Sequence, residues 1–213
     1  MVRQLLLQRK LKIRSDFIRK ISFTRFTDPW EQCKFNDLYQ FASEGGTPNT
    51  QTSEYYSDGT IPFVKIEETN DKYIDDADSY ITQAGIANSS AWIVPKNSVI
   101  FSNGATVGNV SINRIPVATK QGIIGIIPKL NIEHEFLYYL LSGKKFQTEV
   151  NKRVAKGTFS TIILKNLNEI GVKITKTSEQ EKISNLLGRL DQLITLHQRE
   201  DKLRRNYEEK IIL

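Results

Sequence analysis

Six carboxylates, Glu67, Glu68, Asp71, Asp75, Asp76 and Asp78, make the densest run of potential divalent-cation ligands in the chain. A magnesium-dependent nuclease would use such a group, but the irregular spacing fits no calcium loop. A solvated acidic loop is the simpler reading. Gly104 and Gly108 lack the lysine that a nucleotide phosphate loop carries after its glycines, and a hairpin turn accounts for them. One cysteine, Cys33, and two distant histidines, His134 and His197, supply no zinc spacing. Methylation of a base amino group would need an Asn/Asp-Pro-Pro-aromatic site, which Asp28-Pro29-Trp30 does not provide. Catalysis has no foothold in these residues, and no enzymatic activity or bound cofactor is expected of the chain.

Binding chemistry is better supplied. Lys144, Lys145, Lys152, Arg153 and Lys156 form a basic stretch ending in Gly157-Thr158. At helical spacing Lys145, Lys152 and Lys156 share roughly one side, leaving Leu141, Phe146 and Val150 for a core. Such a face suits phosphates, whose condensed counterions lysine and arginine displace; a solubilising helix face is the plain alternative. Polar loops hold Asn103, Thr119, Lys120, Gln121, Thr158 and Ser160. Glutamine can read adenine with two hydrogen bonds, lysine can donate to guanine, and hydroxyls serve either role. The same residue types fill ordinary turns. The candidate DNA contacts are therefore Asn103, Lys120, Gln121, Lys145, Lys152, Arg153, Lys156, Thr158 and Ser160.

These residues need positioning. Residues 2–20 read as a basic amphipathic helix with Leu6, Ile13 and Phe17 among its apolar positions, broken at Asp28-Pro29-Trp30. From there to Pro128 the signals are mostly strands and turns. Gly45-Gly46-Thr47-Pro48 is a loop, residues 61–66 a short strand whose Pro62 suggests an edge or a beginning. Val99-Ile100-Phe101, the Asn103-Gly104 turn and a strand over 106–110 read as a hairpin. Residues 123–127, interrupted by Gly125, read as a buried strand, and 133–154 as a helix that Gly143 bends or divides. Residues 170–174 are a further strand.

The last segment has the clearest period. Ser178 and Glu181 fit a capping box. Ile183, Leu186, Leu187, Leu190, Leu193, Leu196, Leu203, Tyr207 and Ile211 then follow at steps of mostly three or four. That helix would be about 50 Å long, too long and too charged outside for one small domain to cover, so a partner helix is expected along the seam. Its dimerisation residues would be Ile183, Leu186, Leu190, Leu193, Leu196, Leu203 and Tyr207.

The chain of 213 residues carries a formal charge of +6, unevenly distributed. Residues 1–27 hold eight Lys/Arg against one acid, 28–140 seven against fourteen, and 141–176 eight against two. A basic chain favours polyanions. The lone cysteine fits a reducing compartment, and Leu5 to Leu7, flanked by Arg3, Arg9 and Lys10, lack the apolar centre of a signal peptide. A cytoplasmic protein without membrane attachment is expected.

The order of the motifs resembles one half of a type I restriction–modification specificity subunit, a target-recognition domain with its spacer helix. The matching stretches are Arg25-Phe26-Thr27-Asp28-Pro29-Trp30-Glu31-Gln32, Gly45-Gly46-Thr47-Pro48 and Ile61-Pro62-Phe63-Val64. Val94-Pro95, Ser102-Asn103-Gly104-Ala105-Thr106-Val107-Gly108 and Thr119-Lys120-Gln121-Gly122 come next. Residues 157–168, Glu179-Gln180-Glu181-Lys182-Ile183 and Leu190-Asp191-Gln192-Leu193-Ile194 complete the series, which spans nearly the whole chain. Each is short; their succession is specific. Two positions depart from the pattern: Thr175-Lys176-Thr177-Ser178 replaces a proline-rich approach to the last helix, and Lys120 stands where asparagine is frequent.

The resemblance implies an α/β (α+β) domain of mixed strands and short helices plus one long carboxy-terminal spacer helix paired as a coiled coil. Residues 1–27 would end a preceding spacer helix, 28–176 would be the DNA-binding domain, and 177–213 the spacer and dimerisation helix. It further implies a non-catalytic chain that reads one half of a bipartite sequence in double-stranded DNA. Its partners would be a second copy or sister half, methyltransferase (modification) subunits and restriction/translocase subunits. S-adenosylmethionine, ATP and magnesium would sit on those partners. The competing reading is a protein-interaction module that binds no DNA and acts through the long helix.

Overall fold

Along Ser98–Ser102 the side chains of Val99 and Phe101 join one apolar cluster and that of Ile100 joins another, as the two-residue period of a strand requires. A strand buried on both faces belongs in the middle of a fold, and this one is central. The computed structural model describes residues 29–155 and 160–211. In chain order the elements are β1 (Glu31–Lys34), β2 (Tyr39–Glu44), β3 (Ile61–Val64), β4 (Tyr73–Ile74), β5 (Tyr80–Ile81), α1 (Gln83–Ala87), β6 (Ile93–Val94), β7 (Ser98–Ser102) and β8 (Val110–Asn113). They continue with β9 (Val117–Thr119), β10 (Ile123–Pro128), α2 (His134–Ser142), α3 (Lys144–Arg153), α4 (Leu164–Asn168), β11 (Gly171–Ile174) and α5 (Thr177–Ile211). The fold is mixed α/β with one long terminal helix, as expected; the amphipathic segment read over 2–20 lies outside the described residues.

A five-stranded sheet runs β2-β10-β7-β8-β4, a four-stranded sheet β5-β3-β9-β6, and β1 pairs with β11. The larger core fills the space between the five-stranded sheet and the helices: Phe101, Ile124 and Ile126 meet Leu137, Leu141, Phe146 and Val150. A smaller core joins Ile100 and Ile123 to Val64, Val94 and Val117 of the other sheet. Gly125 is required here, because a Cβ on it would come 2.5 Å from Val94 Cγ2 and 2.8 Å from Trp92 Cζ2. Gly143 divides the expected helix into α2 and α3.

Two local expectations need correction, and a third is narrowed to one of its alternatives. The β7–β8 hairpin forms, but Asn103-Gly104 is not its turn. The link runs from Asn103 to Asn109, with positive φ at Ala105 and Gly108, and the second strand starts only at Val110. Ser102 closes this wide loop, its carbonyl accepting from the Gly108 amide at 2.9 Å and its Oγ from the Asn109 amide at 2.9 Å. Pro62 marks the beginning of β3 but not an edge: β3 lies inside its sheet, and Phe63 and Val64, not Pro62, are the residues paired with β9. The α5 helix starts at Thr177, ahead of Ser178, so the Ser178–Glu181 box is displaced. Thr175 Oγ1 instead donates to the buried Glu179 at 2.7 Å, and the Glu179 and Gln180 amides donate to Lys176 O.

The near half of α5 lies on α2 through a set of satisfied polar groups. Glu133 caps α2 by accepting from the Glu135 and Phe136 amides at 3.0 and 2.7 Å, and its Oε2 also accepts from Ser184 Oγ at 2.6 Å. Gln180 Oε1 accepts from the Glu133 amide at 2.9 Å, while its Nε2 donates to Thr175 O at 2.7 Å. Ile183, Leu186, Leu187 and Leu190 are half-buried. Further along, Leu193, Ile194, Leu196 and Leu203 are 53–58% exposed. The side chain of Tyr207 lies outside the described residues.

Candidate nucleic-acid interface

The turn at 120–122 joins β9 to β10, and glycine geometry shapes it. Gly122 has φ +90°, its amide donates to Glu44 Oε1 at 2.8 Å, and its carbonyl accepts from the Asn103 and Gly104 amides at 2.9 and 3.1 Å. Beneath it, the Gly45 amide donates to Ile123 O at 2.8 Å and the Gly46 amide to Thr119 O at 3.0 Å. A Cβ on Gly45 would lie 2.0 Å from Thr119 O, and one on Gly46 2.2 Å from Ser90 Oγ. The loop read as Gly45-Gly46-Thr47-Pro48 is therefore a tight wedge that holds the β9–β10 turn in place.

A cleft of about 380 Å³ opens between this turn, the β7–β8 link and residues 161–163. Lys120 and Gln121 are exposed on one rim, and Glu44, Thr47, Ile66, Thr161 and Ile163 complete the lining. Of the expected contacts the structure brings together Lys120, Gln121 and Asn103, with exposed Ser160 leading into the opposite wall. Sequence reasoning missed Glu44, Thr47, Ile66, Thr161 and Ile163; the glycine pair ahead of Thr47 was the one signal that chain must pack closely there.

Asn103 lines the cleft from a largely buried position. It is 4% exposed, its Nδ2 donates to Ile162 O at 3.2 Å, and its own carbonyl accepts from the Ile162 amide at 2.9 Å. Its amide and side chain tie the hairpin link to both walls of the cleft. Thr119, also read as a candidate for base edges, is fully buried.

The basic stretch occupies α3, which packs against the hairpin link by donating from Gln147 Nε2 to Gly108 O at 2.9 Å. Its end continues into the cleft wall, where the Ala155 amide donates to Thr161 O at 2.9 Å. Lys145 is exposed. Lys152 Nζ lies 2.6 Å and Arg153 Nη1 2.5 Å from the two oxygens of Glu149. Those two hydrogen bonds hold the Glu149 carboxyl down at about 2. One carboxylate thus answers two of the expected phosphate-binding charges. Lys156 and Thr158 lie outside the described residues.

Three of the six acidic side chains, Glu68, Asp75 and Asp76, are held by local backbone and side-chain partners. Glu68 accepts from the Lys65 and Asp78 amides at 2.7 and 2.8 Å, Asp76 from the Ala77 amide and the Tyr80 hydroxyl, and Asp75 lies 3.4 Å from Arg114. Among the described residues no group of three or more His, Cys, Asp or Glu side chains is placed to hold a metal ion.

The sequence pattern of the family described as "Type I restriction modification DNA specificity domain" matches residues 27–204. The chain belongs to that family. Among curated relatives, it is 29% identical over 177 residues to the specificity subunit of the type I restriction enzyme MjaIX of Methanocaldococcus jannaschii, covering 82% of this chain and 40% of that one. Over 152 residues it is 32% identical to the HindI specificity subunit of Haemophilus influenzae, covering 71% of this chain and 32% of the relative. This specificity domain therefore spans well under half the length of the relatives it matches. The HsdS subunit of Thermoanaerobacter tengcongensis superposes with a TM-score of 0.60 at 16% identity, over 91% of this chain and 49% of that one. The S subunit from M. genitalium gives 0.56 at 16% identity, over 78% and 40%. These likenesses establish the fold. Both curated relatives are specificity subunits by name. No helix among its described residues is long and apolar enough to cross a membrane.

Proposed function

We propose that this chain recognises one half of a split sequence in double-stranded DNA for a type I restriction–modification complex. The observation that carries the reading is the rimmed cleft. In a chain of the DNA specificity family, the turn bearing Lys120 and Gln121 is held rigidly by Gly45, Gly46, Glu44 and Asn103 at an exposed edge. Rigid mounting is what base readout requires, since a side chain must meet a donor–acceptor pattern without first being ordered. Gln121 and Lys120 read bases, Ser160 supports them, and Lys145 with the end of α3 contacts phosphates. The exposed leucines of α5 pair with a second copy or a sister half, setting the distance between two readers. Methyltransferase subunits carrying S-adenosylmethionine and restriction subunits using ATP and magnesium supply the chemistry, and this chain supplies placement.

The test is selection of bound duplexes from a randomised pool by the purified chain. One defined sequence is expected to emerge. Gln121→Ala should change the enriched bases at one or two positions. Lys145→Ala should weaken all duplexes alike and lower the salt-dependence slope by about one. A chain that self-associates but enriches no sequence, with no salt dependence of binding, would be a protein-interaction module instead.

A further inference from the structure

A long helix fixed to a small body at one end magnifies any error at its root. From Asp191 to Ile211 the axis rises about 30 Å, so a tilt of about 10° moves the tip by roughly 5 Å. That exceeds the axial step of about 3.4 Å between adjacent bases. Something must therefore define the exit angle, and apolar contact alone, being non-directional, is poorly suited to do so.

The residues at the exit are polar and directional. Asp191 sits where α5 passes from half-buried Leu190 to exposed Leu193. Its Oδ2 accepts from the Tyr139 hydroxyl of α2 at 2.6 Å and lies 3.6 Å from Lys72 Nζ. Lys72, just ahead of β4, donates to Tyr139 Oη at 2.7 Å and lies 2.8 Å from Glu135 Oε2. Tyr73 of β4 donates to Glu135 Oε1 at 2.8 Å. The Lys72 ammonium also stands 4.3–5.1 Å from the ring centroids of Tyr73, Tyr138 and Tyr139, with its side chain only 16% exposed. Burial by itself would lower its pKa; the hydrogen bonds with Glu135, Tyr139 and Tyr73 outweigh that and hold it well above the usual lysine range. A sheet strand, α2 and α5 thus meet on one permanently charged amine. Hydrogen bonds to ionised groups are short and angle-dependent, and removing one member strands its partners.

We propose that Lys72, Tyr139 and Asp191 are positioning residues, a latch that fixes the angle at which α5 leaves the body. On the functional reading above, the latch thereby selects the separation between two half-sites that a paired molecule accepts. Two measurements test it. In the full chain with Cys33→Ser, nitroxides at Gln83 and Gln198, diluted with unlabelled chain, report the body-to-rod distance by pulsed electron resonance. The parent should give one narrow distribution. Asp191→Ala and Tyr139→Phe should each widen it at least twofold, and Asp191→Ala, at a half-exposed carboxylate, should leave the body's melting little changed. Asp191→Asn, whose amide oxygen still accepts from Tyr139, should widen it less. Unchanged widths in Asp191→Ala and Tyr139→Phe overturn the latch. The second measurement selects from duplexes in which two randomised half-sites are separated by stepped spacers. The parent should enrich one spacer length, and Asp191→Ala several, with the same half-site bases. If parent and Asp191→Ala enrich the same single spacer, the latch is wrong while the recognition reading stands. If the parent enriches no sequence, the recognition reading fails and the electron-resonance result decides the latch alone.

Discussion

Leu141 and Leu196 both stand on helices, each three or four residues from other apolar side chains, yet Leu141 is fully buried and Leu196 is 56% exposed. In the body, residues 31–176, the core side chains find partners within the chain, although Phe41, Leu130 and Ile163 stay exposed, and each buried leucine contributes about 1.5–3 kcal/mol relative to exposure. On the far half of α5 the described residues leave Leu193, Leu196 and Leu203 more than half exposed, and the proposed association would supply the same gain there. On the proposed reading, stability of the body and pairing along the far half of α5 are written in separate stretches of sequence, and a substitution in one should leave the other largely alone.

That separation can be broken most forcefully from the body. Phe101→Ala, at a side chain 1% exposed between the sheet and α3, should lower unfolding free energy by about 4 kcal/mol, read by denaturant titration. If the loss is instead under 1 kcal/mol, the larger core is assigned to the wrong residues. Leu193→Arg should change that quantity by less than about 0.5 kcal/mol while abolishing self-association in sedimentation, because pairing would bury an unpaired charge. The half-buried Leu190 makes a sharper contrast, since Leu190→Arg should damage both properties. If Leu193→Arg associates like the parent, the exposed stripe is not the pairing seam.

The smallest effect concerns α3. Hydrogen bonds from Lys152 and Arg153 place the Glu149 carboxyl at about 2, below its unfolded value near 4.3. A depressed folded pKa stabilises above the unfolded value and loses that contribution as pH falls from about 4 towards 2. Carbon-detected titration should show Glu149 as among the last carboxyls to protonate, and Lys152→Ala should move it upward. A midpoint near 4 would show that Lys152 and Arg153 are free for phosphate.

The strands were legible where one face was apolar by alternation, as in Val99 to Phe101, and the division of α2 from α3 followed from Gly143. The long helix was legible from its period. The site was harder. Lys120 and Gln121 announce themselves as polar residues in a turn, but Thr47, Ile66 and Ile163 reach the cleft only because three distant loops converge, which no local pattern encodes. Asn103 misled for a physical reason: Asn-Gly is the residue pair of a tight hairpin, and here tertiary hydrogen bonds to Gly122 and Ile162 claim it instead. The latch was invisible because Lys72, Tyr139 and Asp191 are far apart along the chain.

Asn103 joins the hairpin link, the 120–122 turn and the 161–163 wall through four hydrogen bonds in which it or Gly104 takes part. The three loops consequently behave as one cassette. On the proposed reading, transplanting any single one from a relative with a different preference would leave the clasp mismatched, and re-engineering of the sequence read should succeed only when all three are exchanged together.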